Sequence, residues 1–257
     1  MPSNYAHYRF ARSVIDRLDR RIWSQTALYY AGCHGADPMF YFDPFQSNPI
    51  RAIADDYHRI TGRDLFTMEC DRLRKGCSDG ELAFLFGFLT HYCLDSSCHP
   101  FVNGLVRKKI CGHAALETEF DRFLMERDGI HVPHTVDLSE HVSLTDDQCA
   151  LAATFFPPLT AQEYITSLQK MHKANRLLTG NSGIPRRWIE YYLHRRGGSA
   201  RDQMMPAGPD PRTAHLDTEL LGYYRRAEER FPELQRQLMA CLEQGTPLGA
   251  EFDANFE

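Results

Sequence analysis

Apolar positions along this chain recur mostly every three to four residues, the period of helices with one buried face. Tyr5, Tyr8, Ala11, Ile15, Leu18 and Ile22 form the first such stripe and predict one amphipathic helix. A loop rich in glycine, proline and aromatics follows from Gly32 to Pro49, then two shorter helices over about 50–58 and 63–75. Ser78-Asp-Gly-Glu81 has the spacing of a capping box and opens a segment, 79–98, that is apolar nearly all round. It should be the central buried helix. Pro100 is expected to end it, because the residue before a proline is pushed out of helical geometry. Residues ~104–127 predict the next helix and 128–144 a polar loop carrying His131, His134 and His141. Thr160-Ala-Gln-Glu163 is a second capping box, opening a helix to about Thr179, and another covers about 184–195. Residues 197–213 read as a Gly/Pro-rich loop long enough for a mobile flap or an active-site edge. Leu216, Leu220, Tyr224, Ala227, Phe231, Leu234, Leu238 and Cys241 mark the last long helix, with Pro232 expected to kink it. No segment shows strand alternation and no repeat is visible. The fold class is therefore all-α: a single-domain, multi-helix bundle over residues 1–257.

Composition adds three constraints. A hydrophobic fraction of 43% is enough for a real core, and 34 acidic against 29 basic residues give a net charge of −5, no basis for a nucleic-acid partner. The N-terminal MPSNYAHYRF lacks the apolar run of a signal peptide. The longest apolar run, Leu82–Leu89, is less than half of the ~20 residues that span a bilayer. The expectation is a soluble, cytoplasmic protein. Its eight cysteines contain no CxxC pair and read as buried free thiols.

The third constraint is histidine: 12 residues, nine of them within the first 141. In FGFLTHYCLDSSCHP, His91, Asp95 and His99 are spaced by four and four. One helical face then presents all three, with about 6 Å of rise between neighbours. Three ionisable groups on a buried stripe are costly unless a cation neutralises them; the alternative is a His–Asp pair satisfying itself beside a solvent-facing histidine. His113 and Glu117 repeat the four-residue spacing on the next helix, and helical bundles build metal sites from such pairs on facing helices. Asp37, His58 and His7 are weaker single candidates.

The order His … Asp … His … His-x3-Asp … His … His-x3-Glu on an all-α scaffold resembles the zinc-dependent phospholipase C family, itself related to the S1/P1-type nucleases. NYAHYRFARSVIDRL, GCHGADPMFYF, YHRITGRDLF and FGFLTHYCLDSSCHPFVNG carry the resemblance over about residues 1–128. It implies two to three clustered zinc ions: one on Asp37, His58, His91 and Asp95; a second on His99, His113 and Glu117; a third shared between Asp95 and His7. Secreted relatives complete the third site with a processed N-terminal tryptophan, where this chain begins Met-Pro. His34 reads as a neighbour of the ligands rather than one of them.

Imidazole and carboxylate donors without thiolate suit hydrolytic zinc. The implied activity is hydrolysis of a phosphodiester by a zinc-bound hydroxide, with Asp37 either a ligand or the group that orients and deprotonates the water. The implied partner is a phosphodiester such as a phospholipid headgroup, with transient contact at a membrane surface; the pattern sets no oligomeric state. Phe40, Tyr41 and Phe42, with Phe45, are candidates for a substrate pocket that accepts a cationic headgroup; core packing is the competing reading for each. The alternatives kept are an S1/P1-type nuclease, for which Arg107, Lys108 and Lys109 are a weak basic cluster, and a non-catalytic metal-binding or sensing module. A zincin protease is excluded by the lack of HExxH, and an HD-type phosphohydrolase is disfavoured by the lack of any His-Asp dipeptide.

Overall fold

In a computed structural model, residues 4–138, 141–180 and 182–257 are described, and among them there is helix and no strand. The helices in chain order are α1 (Asn4–Val14), α2 (Arg20–Trp23), α3 (Thr26–Gly32), α4 (Pro49–Arg59), α5 (Gly62–Leu73), α6 (Asp79–Arg107), α7 (His113–Arg127), α8 (Asp146–Ala153), α9 (Ala161–Leu178), α10 (Arg186–Arg196), α11 (Gly198–Arg201) and α12 (Asp217–Gln244). Helix α6 is the axis. Every residue from Leu82 to Ser96 is buried, and α1, α2, α3 and α12 pack around it. The capping boxes at Ser78–Glu81 and Thr160–Glu163 form as expected. One continuous apolar core runs through the bundle, and a small second cluster of Ile189, Leu193 and Met204 lies under α10.

The crossing of α3 over α6 sets the depth of the functional region. A Cβ on Gly32 would stand 2.3 Å from the Phe84 carbonyl oxygen, and one on Gly87 would stand 2.1 Å from that of Tyr29. Only glycines let the two backbones touch, and this contact carries the loop after α3, with His34 and Asp37, against the His91 turn of α6.

Several boundaries differ from those the sequence predicts. Pro100 does not end the central helix: α6 runs 29 residues and passes through it, and α7 starts only at His113 rather than near 104. A proline inside a helix costs ~3 kcal/mol, but Pro100 is exposed while Cys98 and Val102 carry the buried stripe past it. Pro232 also lies on the solvent side of its helix, α12, which does not stop there but runs to Gln244. The first stripe is one long helix only to Val14; a 3₁₀ turn follows, and Asp19 caps the separate α2. Helix α8 is an addition to the elements the apolar period predicts, and a capping box, Thr145-Asp-Asp-Gln148, opens it. The 197–213 segment holds the short α11 and is bonded to the rest of the molecule: Asp210 N–H donates to Glu119 (3.0 Å), Thr118 Oγ1 donates to the Asp202 carbonyl (3.0 Å), and Arg212 pairs with both Asp202 and Asp210. All eight cysteines are free thiols, six of them buried.

Candidate metal centre

Helix α6 brings His91, Asp95 and His99 onto one stripe, and α7 brings His113 and Glu117 opposite its end. Helix α1 supplies His7, α4 supplies His58, and the 3₁₀ turn at 37–41 supplies Asp37. Asp95 is the hub. Its Oδ1 lies 3.2 Å from His7 Nε2 and 3.8 Å from His99 Nε2, and its Oδ2 lies 3.2 Å from His91 Nε2. Asp37 stands 3.1 Å from His58 Nε2 and 4.0 Å from His91 Nδ1. Glu117 Oε1 is 3.2 Å from His99 Nε2 and 2.9 Å from His113 Nε2. Among the described residues, three groups have donor atoms within 4.8 Å of one another: His7, Asp37 and His91; His58, His91 and Asp95; His99, His113 and Glu117.

Two of the histidines are fixed in one tautomer by backbone carbonyls. A carbonyl only accepts, so His58 Nδ1 donates to the Ala54 oxygen (2.8 Å), and His99 Nδ1 donates to the Phe256 oxygen. Each ring therefore turns its Nε2 toward a carboxylate, an arrangement that needs a proton or a metal ion between the two. Nitrogens are also left over: His7 Nδ1 and both nitrogens of His91 are buried without a hydrogen-bond partner. Tetrahedral zinc with bonds near 2.1 Å spaces its donors by about 3.4 Å, close to the separations above. A void of about 30 Å³, with His7, Asp95, His99 and Glu117 on its lining and Leu94, Cys98, Val102, Phe120 and Leu220 making its apolar wall, has room for a water-sized occupant beside the cluster. The residues present fit a zinc cluster.

Charge follows the same geometry. Burial would raise the pKa of Asp37, Asp95 and Glu117, but the surrounding imidazoles outweigh it and hold all three carboxyls low, hence ionised. Burial dominates at His91, pushing it down to about 4. At His99 burial is overcome by Asp95 and Glu117, which hold it up at about 9.

His34 is fully buried, edge-on to His7 at 6.4 Å, and its Nε2 lies 2.7 Å from His141 Nε2. His141, which had read as an ordinary loop residue, is stacked on Tyr8. The cleft outside the cluster, about 390 Å³, is lined by Phe40, Asp55, His58, His99, Asn103, Arg107, His113 and Glu257. Tyr41 lines a neighbouring apolar groove instead, while Phe42 stands apart, half-buried, with the Lys170 ammonium 4.5 Å from its ring centre. Asp37 is 2% exposed and sits behind His58.

Two supporting residues escaped the sequence reading. Asp121 accepts the backbone N–H groups of Tyr5 (2.9 Å) and Ala6 (2.8 Å), fixing the start of α1 and with it His7. It lies four residues beyond Glu117, so the His113–Glu117 spacing, carried one step further, points to it. Phe256 is the other: its ring packs on His58 and His91, its N–H donates to the His58 carbonyl (3.2 Å), and its carbonyl holds His99. Nothing in the local sequence signals that role.

A family model described as zinc dependent phospholipase C matches residues 6–168, more than half of the chain. The chain belongs to the zinc-dependent phospholipase C family. The match spans every residue of the cluster and stops before α10, α12 and the C-terminal segment that carries Phe256. Searches of curated proteins and of solved structures gave no match. Family membership, the all-helical architecture and these His/Asp groups identify a zinc-dependent type of scaffold; no described helix is long and apolar enough to cross a membrane.

Proposed function

We propose that the protein hydrolyses a phosphodiester of phospholipid type with two to three zinc ions, held by Asp37, His58, His91 and Asp95, by His99, His113 and Glu117, and by Asp95 with His7. The observation that carries this reading is the convergence of these side chains from five elements on Asp95 and its neighbours, with imidazole nitrogens left unpaired in a buried site. Zinc bound there supplies Lewis acidity toward a phosphoryl oxygen and acidifies water.

The chain does the rest. Carbonyls of Ala54 and Phe256 aim Nε2 of His58 and His99 inward, as partners of metal-binding imidazoles commonly do. The burial of Asp37 behind His58 favours a ligand over a proton acceptor. Arg107 and Asn103 supply hydrogen-bond donors to phosphoryl oxygens on one wall of the cleft. Asp55 and Glu257 place negative charge on the same cleft, the complement of a cationic headgroup. Zinc-loaded protein should hydrolyse a chromogenic phosphodiester and release phosphorylated headgroup from phosphatidylcholine faster than nucleotides from DNA. Asp95→Asn should lower the rate by roughly a thousandfold. Equal rates for the two proteins would refute the assignment.

A further inference from the structure

Helix α10, RRWIEYYLHRR, is apolar on two faces. Ile189 and Leu193 pack inward on Met204. Trp188, Tyr191, Tyr192 and Arg195 lie at i, i+3, i+4 and i+7, a single stripe, yet the three aromatics are 58%, 56% and 47% exposed. A stripe of this kind normally faces a core; here it faces outward. Phe45, 50% exposed, extends it: the Arg196 guanidinium lies 5.0 Å from the Phe45 ring centre and 5.2 Å from that of Tyr192. The helix carries Arg186, Arg187, Arg195 and Arg196 against one acid, Glu190, in a chain whose net charge is −5. Tryptophan and tyrosine bordered by arginine suit the headgroup layer of a bilayer, and the local charge selects anionic lipid.

A groove leads inward from this patch. About 420 Å³ in volume, it is walled by Tyr41, Phe45, Leu177, Leu178 and Leu193, with Arg51 and Arg196 also on its lining. Its remaining wall includes Phe40, which also lines the cleft outside the metal cluster. An apolar channel thus adjoins the polar cleft through one shared ring.

We infer that α10 and the Phe45 loop form a docking surface for an anionic phospholipid bilayer, and that the groove takes the acyl part of a lipid whose headgroup enters the metal cleft. The second half rests on the phospholipase reading; the first does not. A second copy of the chain is a poorer occupant, because a symmetric pairing would set the same arginines against each other.

The test uses the zinc-loaded full chain bearing Trp23→Phe, which leaves Trp188 as the only tryptophan. Mixed with vesicles of phosphatidylcholine containing one-third phosphatidylglycerol, it should show a blue shift of Trp188 emission and float with the vesicles. Binding to pure phosphatidylcholine should be at least tenfold weaker. In the otherwise wild-type chain, W188A/Y191A/Y192A, and separately R187E/R195E, should each weaken flotation at least tenfold. Thermal unfolding and turnover of a soluble chromogenic diester should stay unchanged. Ala174→Trp, which fills the groove, should raise KM for lipid and leave the soluble diester unaffected. No shift and no flotation on anionic vesicles would overturn the proposal, as would triple-variant binding equal to wild type, or a dimer that the triple variant dissolves without any vesicle binding. Flotation without lipid hydrolysis would remove the phospholipase reading and keep the docking surface; lipid hydrolysis with no dependence on α10 would do the reverse.

Discussion

Of the three buried carboxylates on helix α7, Glu117 and Glu119 stand only two residues apart and face opposite chemistry. Glu117 turns toward His99 and His113, whose Nε2 atoms lie 3.2 and 2.9 Å away. Glu119, 0% exposed, turns toward Arg122 at 2.6 Å, with the Asp210 N–H and the Asp217 carboxyl beside it. The Glu119 cluster is closed: the chain provides its own permanent cation, since a guanidinium does not lose its proton. The Glu117 side is open: its partners are imidazoles, which carry positive charge only when they hold a proton and can bind a metal ion in its place. Burial alone therefore does not mark a metal site. The mark is burial with carboxylates whose close basic partners among the described residues are histidines, some with nitrogens left unpaired.

The contrast breaks most visibly on its two anchors. Arg122→Leu leaves Glu119 buried without its cation and should cost about 3–5 kcal/mol of stability, read by urea unfolding, with zinc content unchanged. Asp95→Asn should do the opposite, stripping zinc while the metal-free protein unfolds at the wild-type urea concentration or above it. If both variants lost stability equally and neither lost zinc, the two clusters would be of one kind.

The next effect concerns the carbonyl behind His99. Removing Phe256 and Glu257 should weaken zinc binding by roughly 10–100-fold in competition with a chromogenic chelator. Phe256→Leu keeps the carbonyl, so it should lose stability but hold its zinc; matched losses of affinity in the two variants would assign Phe256 to packing alone. A smaller change is expected at Gly35, whose φ is +49° and whose Cβ, if present, would stand 2.6 Å from His91 Cδ2. Gly35→Ala should cost about 1–3 kcal/mol through the strained backbone, and displacement of His91 should lower zinc affinity alongside.

The closed cluster has its own signature in pH. Burial, then Glu119, pushes Asp217 up to about 7. Its folded carboxyl holds a proton that the unfolded chain releases near pH 4, so the stability it contributes is present below that pH and lost as pH rises toward 7. The slope is at most about 1.4 kcal/mol per pH unit. Asp217→Asn should flatten the wild-type curve over that window; superimposable curves would deny the shift.

Much of the open cluster was legible because its information is local. His91, Asp95 and His99, and again His113 and Glu117, announce themselves by the helical period, and the Ser78 capping box announces the helix that carries the first three. The limits of α6 were not legible: a proline on the solvent side of a helix reads in sequence like any other helix breaker, and only the packing of Cys98 and Val102 shows that it is tolerated. The Phe256 carbonyl lies 157 residues from His99, and a backbone atom leaves no trace in residue identity. The outward aromatic stripe of α10 escaped for a different reason: its spacing looks like a core stripe, and exposure alone separates the two.

The central claim is that the cluster is built around zinc. Elemental analysis of the purified protein after dialysis against a weak chelator tests it most directly. Two to three zinc ions per wild-type chain and no more than one in Asp95→Asn are expected. A folded wild-type chain with zinc at the level of the dialysis buffer would contradict the account.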